Sequence, residues 1–197
     1  MPAVTINTGD LSGVGGIFER GLVRALGRLA SPYVFVPGNH DGAVTAAAME
    51  GVGAFVLRQP RVVDVSGLRI WGYADPNRTR FGRGDRYQND LCKSAAAGVD
   101  LPNNRGPIIV AVHNELMLPA LLHVPLVLCG HLHAPSVRRA GSALVVRCGS
   151  TGGGGPFGGA VHFAIVDVGL KSHKPLSVWM GKVDKSGLEV TEVACGE

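Results

Sequence analysis

The sequence predicts an α/β protein, with two packed sheets carrying helices on their outer faces. Three observations lead there. The first half alternates short apolar runs with amphipathic stretches. The second half breaks into a meander of short strands. No internal repeat or long linker divides the 197 residues, a length that fits one domain (1–197) with a substantial core.

The elements follow in order. Residues 3–8 (AVTINT) read as a buried strand. Residues 16–30 place Ile17, Leu22, Leu26 and Leu29 near one helical face, with Arg and Glu opposite. Residues 33–36 (YVFV) are a second strand, and 43–52 a short helix. Residues 62–74 form a hairpin around Ser66-Gly67. Residues 75–90 are a polar, Arg-rich loop, followed by a weak helix to about 98. Residues 107–112 and 125–129 are strands separated by a helical stretch. Short strands then follow at 135–140, 143–148, 160–168, 175–183 and 188–194.

Composition narrows the function classes. A hydrophobic fraction of 46% and a charged fraction of 17% belong to a globular chain. The 29 glycines imply many turns and close backbone approaches. The net charge is +4, and Arg138-Arg139 is the only adjacent basic pair, so no nucleic-acid tract is expected. Cys92, Cys129, Cys148 and Cys195 form no C-x-x-C and read as reduced thiols. The start, MPAVTINTGD, lacks signal-peptide features. The most apolar region, 107–130, is interrupted by His113, Asn114, Glu115, His123 and prolines, so it is no membrane span. The expectation is a cytoplasmic chain.

Four strand ends carry related chemistry. TINTGD puts Asp10 after the first strand, and VFVPGNHD puts Asn39, His40 and Asp41 after the second. IIVAVHNE supplies His113, and LVLCGHLH supplies His131 and His133. Ligands bind outside the carboxyl ends of strands in open α/β sheets. His131 and His133 are two apart, so an extended chain would bring both to one site. The set is N/O without thiolate, which suits Mn, Fe, Zn or Ni more than a structural zinc knuckle. A bridging carboxylate with imidazoles and an amide is what a two-metal hydrolytic site requires.

These motifs, G-D (9–10), G-N-H-D (38–41), His113 and G-H-L-H (130–133), resemble those of the calcineurin-like metallophosphoesterase superfamily. The resemblance runs from residue 4 to about 168. It implies a four-layer α/β/β/α sandwich of two mixed sheets flanked by helices. It also implies two divalent metal ions and a phosphomonoester or phosphodiester substrate, attacked in line by metal-bound hydroxide. By position, Asp10 resembles the bridging ligand. Asn39, His113 and His131 resemble the rest of one metal site, and His133 a ligand of the other. Asn39 and His40 would contact substrate. His40 resembles the imidazole that protonates the leaving oxygen, and Asp41 the carboxylate that orients it.

Two departures stand out. The family's opening strand ends in D-x-H, and this chain has no D-x-H. One metal site then lacks half its ligands, and the sheet its first strand. The family's G-D-x-x-D is here GDLSG, with Gly13 at the second carboxylate's place. The chain is then an N-terminally incomplete piece of a longer protein, which could be membrane-anchored, or a metal-poor relative. A third reading is a non-catalytic interaction scaffold, a role with precedent in a retromer subunit of similar fold. His123, His162 and His173 are not assigned to the site. The glycines Gly153, Gly155 and Gly158 precede a strand, not a helix, and read as a loop. Arg78, Arg80, Arg83 and Arg86 form a solvated loop or a basic lid over the substrate mouth.

Overall fold

The computed structural model describes residues 2–11, 17–29, 31–77, 85–98, 109–118, 124–150, 159–172 and 174–193, the side chains of 17–20 and 85 excepted. Gly13, Arg78, Arg80, Arg83, His123, His173, Cys195 and the glycine-rich stretch 151–158 lie outside them.

The elements in order are β1 (Thr5–Asn7), α1 (Ile17–Leu26), β2 (Tyr33–Phe35), α2 (Ala43–Gly51), β3 (Phe55–Val56), β4 (Arg61–Val65), β5 (Leu68–Tyr73) and α3 (Asp85–Ala97). Then come β6 (Ile109–Val112), a 3-10 turn (Glu115–Met117), β7 (Leu126–Cys129), β8 (Ser136–Ala140), β9 (Ala143–Arg147), β10 (Val161–Val168), β11 (Pro175–Asp184) and β12 (Gly187–Val193). The expected hairpin is β4–β5, and its turn uses Ser66 at φ 51° and Gly67 at φ 78°. Two successive positive φ values match the right-handed strand twist.

A six-stranded mixed sheet runs β4-β5-β6-β7-β9-β8, with β5, β6, β7 and β9 parallel. Against it lie a parallel sheet, β1-β2-β3, and an antiparallel one, β10-β11-β12. Period-two alternation sorts their side chains into layers. Ile70, Ile109, Ala111, Leu126, Leu144 and Val146 meet Val34, Val36, Leu57 and Val178 between the sheets. The intervening Trp71, Val110, Val112, Val127 and Val145 face outward and pack with Cys92 of α3 and Met117 of the 3-10 turn. On the other side Tyr33, Phe35 and Val56 pack against Val23 of α1 and Ala46 and Met49 of α2. The result is the expected α/β/β/α order. Its second sheet layer is in two parts: among the described residues β1 pairs only with β2, and β10 only with β11.

Two expectations shift. Helix α3 starts at Asp85, inside the stretch read as loop. Among the described side chains its buried stripe is only Cys92 and Ala96, four apart, too narrow to show as apolar periodicity. The two-residue β3 was not expected, since a pair of residues carries no period. Among the described residues no helix is long and apolar enough to cross a membrane.

Candidate metal centre

Parallel strands bring their carboxyl ends to one edge, and the residues just past those ends meet there. The loops after β1 and β2 touch. A Cβ on Gly38 would strike the Asp10 side chain, the Asp10 backbone nitrogen at 2.6 Å and His113 Cε1 at 2.8 Å. Gly9, at φ 103°, offers no more room: its Cβ would lie 2.6 Å from the Gly38 Cα. Only glycine permits this approach.

Asp41 locks the contact. It is fully buried, and its Oδ2 accepts the Asp10 N–H at 2.7 Å and the Gly38 N–H at 2.8 Å. Asp10 has φ 56°, a left-handed conformation that costs energy in a non-glycine residue. In return its Oδ1 accepts the His40 N–H at 3.0 Å, and its Oδ2 points at His113.

His113 is 1% exposed. Its Nδ1 lies 2.7 Å from the Thr8 carbonyl oxygen, which only accepts, so Nδ1 carries the proton. That leaves Nε2 facing Asn39 Oδ1 at 2.9 Å, His131 Nδ1 at 3.2 Å and Asp10 Oδ2 at 3.2 Å. His131 Nδ1 is 3.3 Å from the same Asn39 oxygen. The two imidazoles stand edge to face, 5.1 Å apart.

Asp10 Oδ2, Asn39 Oδ1 and His113 Nε2 therefore converge with lone pairs facing one another, and His131 Nδ1 joins them in the tautomer protonated at Nε2. The ligand atoms of Asp10, His113 and His131 all lie within 4.8 Å of one another. Neighbours about 3 Å apart are the edges of a coordination shell with bonds of roughly 2.0–2.2 Å to N and O. The donor set fits a divalent cation, and the Thr8 carbonyl behind His113 is the usual outer support for an imidazole ligand.

The titration behaviour agrees. Burial pushes the Asp10 carboxyl up, but His113 and the His40 N–H outweigh it, and the net shift is down. Burial pushes His113 down, but the Asp10 contact, the Thr8 carbonyl and Asp75 outweigh it, and the net shift is up. Burial and the neighbouring His113 push His131 down. A proton and a metal ion thus compete for one place, and cation binding would expel the proton.

The structure brings together Asp10, Asn39, His113 and His131, with His40 and Asp41 in the adjoining turn. It leaves His133 exposed and outside the cluster. The expected extended path through G-H-L-H does not form. His131 has φ 64°, and the Leu132 N–H turns back to the Gly130 carbonyl at 2.8 Å.

Sequence reading missed the supports. Arg147 donates from Nε to the Ala134 carbonyl at 2.9 Å, pinning the end of the loop that carries His131. Glu115 receives Arg138 at 2.8 Å and lies 3.6 Å from Arg147 and from Cys129 Sγ. No spacing rule marks such long-range pairs. Asp75, just past β5, did carry the strand-end signal, and was read as loop.

A two-sheet sandwich that gathers a carboxylate, an amide and two imidazoles at its carboxyl edge defines an α/β protein with a candidate metal site. The chain belongs to the calcineurin-like phosphoesterase family, whose model matches residues 1–135. Among solved structures it is similar to Vps29 complexed with Zn2+ from Entamoeba histolytica, at 13% identity and TM-score 0.45, covering 96% of this chain and 97% of that one. It is similar to an archaeal phosphodiesterase at 13% identity and TM-score 0.43, covering 96% and 82%. A predicted phosphoesterase from Streptococcus pneumoniae stands at 13% identity and TM-score 0.43, covering 96% and 97%. Likenesses this low say nothing of this chain's chemistry. No curated protein matches the sequence.

Proposed function

We propose that the chain is a metal-dependent phosphoesterase acting on a phosphomonoester or phosphodiester. The observation that carries this is the convergence of Asp10 Oδ2, Asn39 Oδ1, His113 Nε2 and His131 Nδ1 in a member of a phosphoesterase family. A bound divalent ion supplies Lewis acidity toward a phosphoryl oxygen and lowers the pKa of water near it.

The chain's own residues do the rest. Asp10, Asn39, His113 and His131 would hold the ion. Thr8 fixes the His113 tautomer, so that Nε2 is the ligand atom. Asp41 holds the β1 and β2 loops together and keeps His40 next to Asp10. In this reading the His40 imidazole gives a proton to the leaving oxygen. In a dinuclear form Asp10 and His133 would help to hold a second ion. Mn2+, Fe, Zn2+ and Ni2+ all suit the donor set.

The test is hydrolysis of p-nitrophenyl phosphate and bis-p-nitrophenyl phosphate with Mn2+ added, for wild type, Asp10→Asn and His40→Ala. Metal-dependent turnover, abolished by Asp10→Asn and reduced on the order of 100-fold or more by His40→Ala, is expected. Turnover indifferent to Mn2+ and to Asp10→Asn sinks the proposal.

A second reading has its own observation. His133 is exposed, and among the described residues no further carboxylate or imidazole joins it in a second cluster. A chain with one cation site and no hydrolysis would be an interaction scaffold on the same fold. Wild-type Mn2+ binding without turnover on either ester selects it.

A further inference from the structure

A fifth strand reaches the same edge. β5 runs parallel to β6 with Tyr73 opposite Val112, so the chain beyond Tyr73 continues level with His113 and Asn114. There stands Asp75. Its N–H donates to the Pro37 carbonyl at 2.9 Å, immediately before Gly38-Asn39. Asp75 therefore ties the six-stranded sheet to the loop that carries the amide ligand.

Its side chain is 1% exposed. Oδ1 accepts the Asn77 N–H at 2.7 Å. The Asn77 side-chain nitrogen donates to the Gln88 carbonyl at 3.1 Å and to Cys92 Sγ at 3.2 Å, anchoring the turn on α3. Oδ2 is buried and has no hydrogen-bond partner. A buried carboxylate with an orphaned oxygen is costly, and the fold alone gives no reason to keep one.

The cluster gives a reason. A divalent cation held by Asp10, Asn39, His113 and His131 meets only one charged ligand. Of the buried carboxylates beside the cluster, Asp41 has its Oδ2 taken by the Asp10 and Gly38 N–H groups, whereas Asp75 keeps an Oδ2 with no hydrogen-bond partner. Asp75 is outside the ligand set, yet its N–H is bonded to the carbonyl of Pro37, two residues before the proposed ligand Asn39.

We propose that Asp75 is the charge-balancing carboxylate behind the metal site, a positioning residue that strengthens divalent-cation binding without touching the ion. The inference rests on the metal-site reading above. Supports of this kind are commonly worth about 10–100-fold in metal affinity.

The test is calorimetric titration of Mn2+ alone into the full chain, with a thermal melt of each apo protein. Asp75→Asn should weaken Mn2+ binding at least ~10-fold. Its apo Tm should be unchanged or higher, because a buried charge has been removed. Asp75→Ser, whose hydroxyl accepts the same turn bond, should behave alike and covers a packing failure of the first variant. Asp64→Asn, at a side chain 74% exposed, should change nothing. Affinity within twofold of wild type overturns the inference. So does a lower apo Tm or failure of both variants to fold, since the carboxylate would then serve the fold. Binding lost in Asp10→Asn but kept in Asp75→Asn sinks this inference alone. No Mn2+ binding by wild type sinks it together with the metal-site reading.

Discussion

His113 and His133 enter the same edge of the molecule in different states. His113 is buried, its Nδ1 tied to the Thr8 carbonyl and its Nε2 aimed at three partners. His133 stands exposed on a loop held at its far end by Arg147. The difference teaches that a strand-end imidazole is placed to serve as a ligand when something behind it fixes the ring. On the His113 side the Asp41 clamp, the Gly9–Gly38 contact and the Asp75–Pro37 bond supply that backing. Among the described residues the His133 side has no counterpart.

The largest expected break comes from Asp10→Asn. It removes the cluster's only charged ligand and the charge that holds His113, so Mn2+ affinity should fall by ~100-fold or more in a calorimetric titration, at least the upper end of what lost outer supports cost. Next is Gly38→Ala. Its Cβ enters the space of Asp10 and His113, and overpacking of this kind costs about 1–3 kcal/mol, or roughly 2–12 °C in Tm for a chain of this size. A thermal melt checks it, and an unchanged Tm would mean that the two loops can part freely.

His133→Ala sharpens the comparison from the other side. An exposed side chain away from packing changes stability by within about 0.5 kcal/mol, and first-ion affinity should move less than ~3-fold. A loss as large as that of His113→Ala would place His133 inside the cluster after all.

The smallest effect concerns the thiols behind the strand ends. Burial first, then nearby acids, pushes Cys92 and Cys129 up to about 12. Their folded pKa lies above the unfolded one. Their contribution to stability is therefore complete below the unfolded thiol pKa, near 8.5, and is lost as pH rises from there toward about 12. Both thiols should resist iodoacetamide at pH 8 in the native chain and react once it is denatured, as mass spectrometry of the labelled peptides would show.

Much of the fold was legible because its physics is local. Val34 and Val36 alternate with Tyr33 and Phe35, and that alternation decides which layer each side chain joins. Asp10, Asn39, His113 and His131 were legible because parallel strands share an edge and each bears a polar residue at its end. What stayed hidden depends on conformation or on distant pairs. The positive φ of His131 turns His133 away, and no spacing reveals it. Asp41 was read as the partner of His40, and the bonds of its Oδ2 to the backbone of Gly38 and of Asp10, the latter thirty-one residues away, were not visible in the sequence. The Thr8 carbonyl that sets the His113 tautomer is backbone and has no signature at all.

The central claim is that the backed ligands build a cation site and the unbacked one does not. Metal content per chain, by elemental analysis after Mn2+ loading and desalting, tests it most directly, with Asp10→Asn beside the wild type. The account predicts one tightly held metal per chain, lost in the variant. Two per chain, both lost in the variant, would show that the His133 side is also a working site. None would show that the four converging atoms hold no metal.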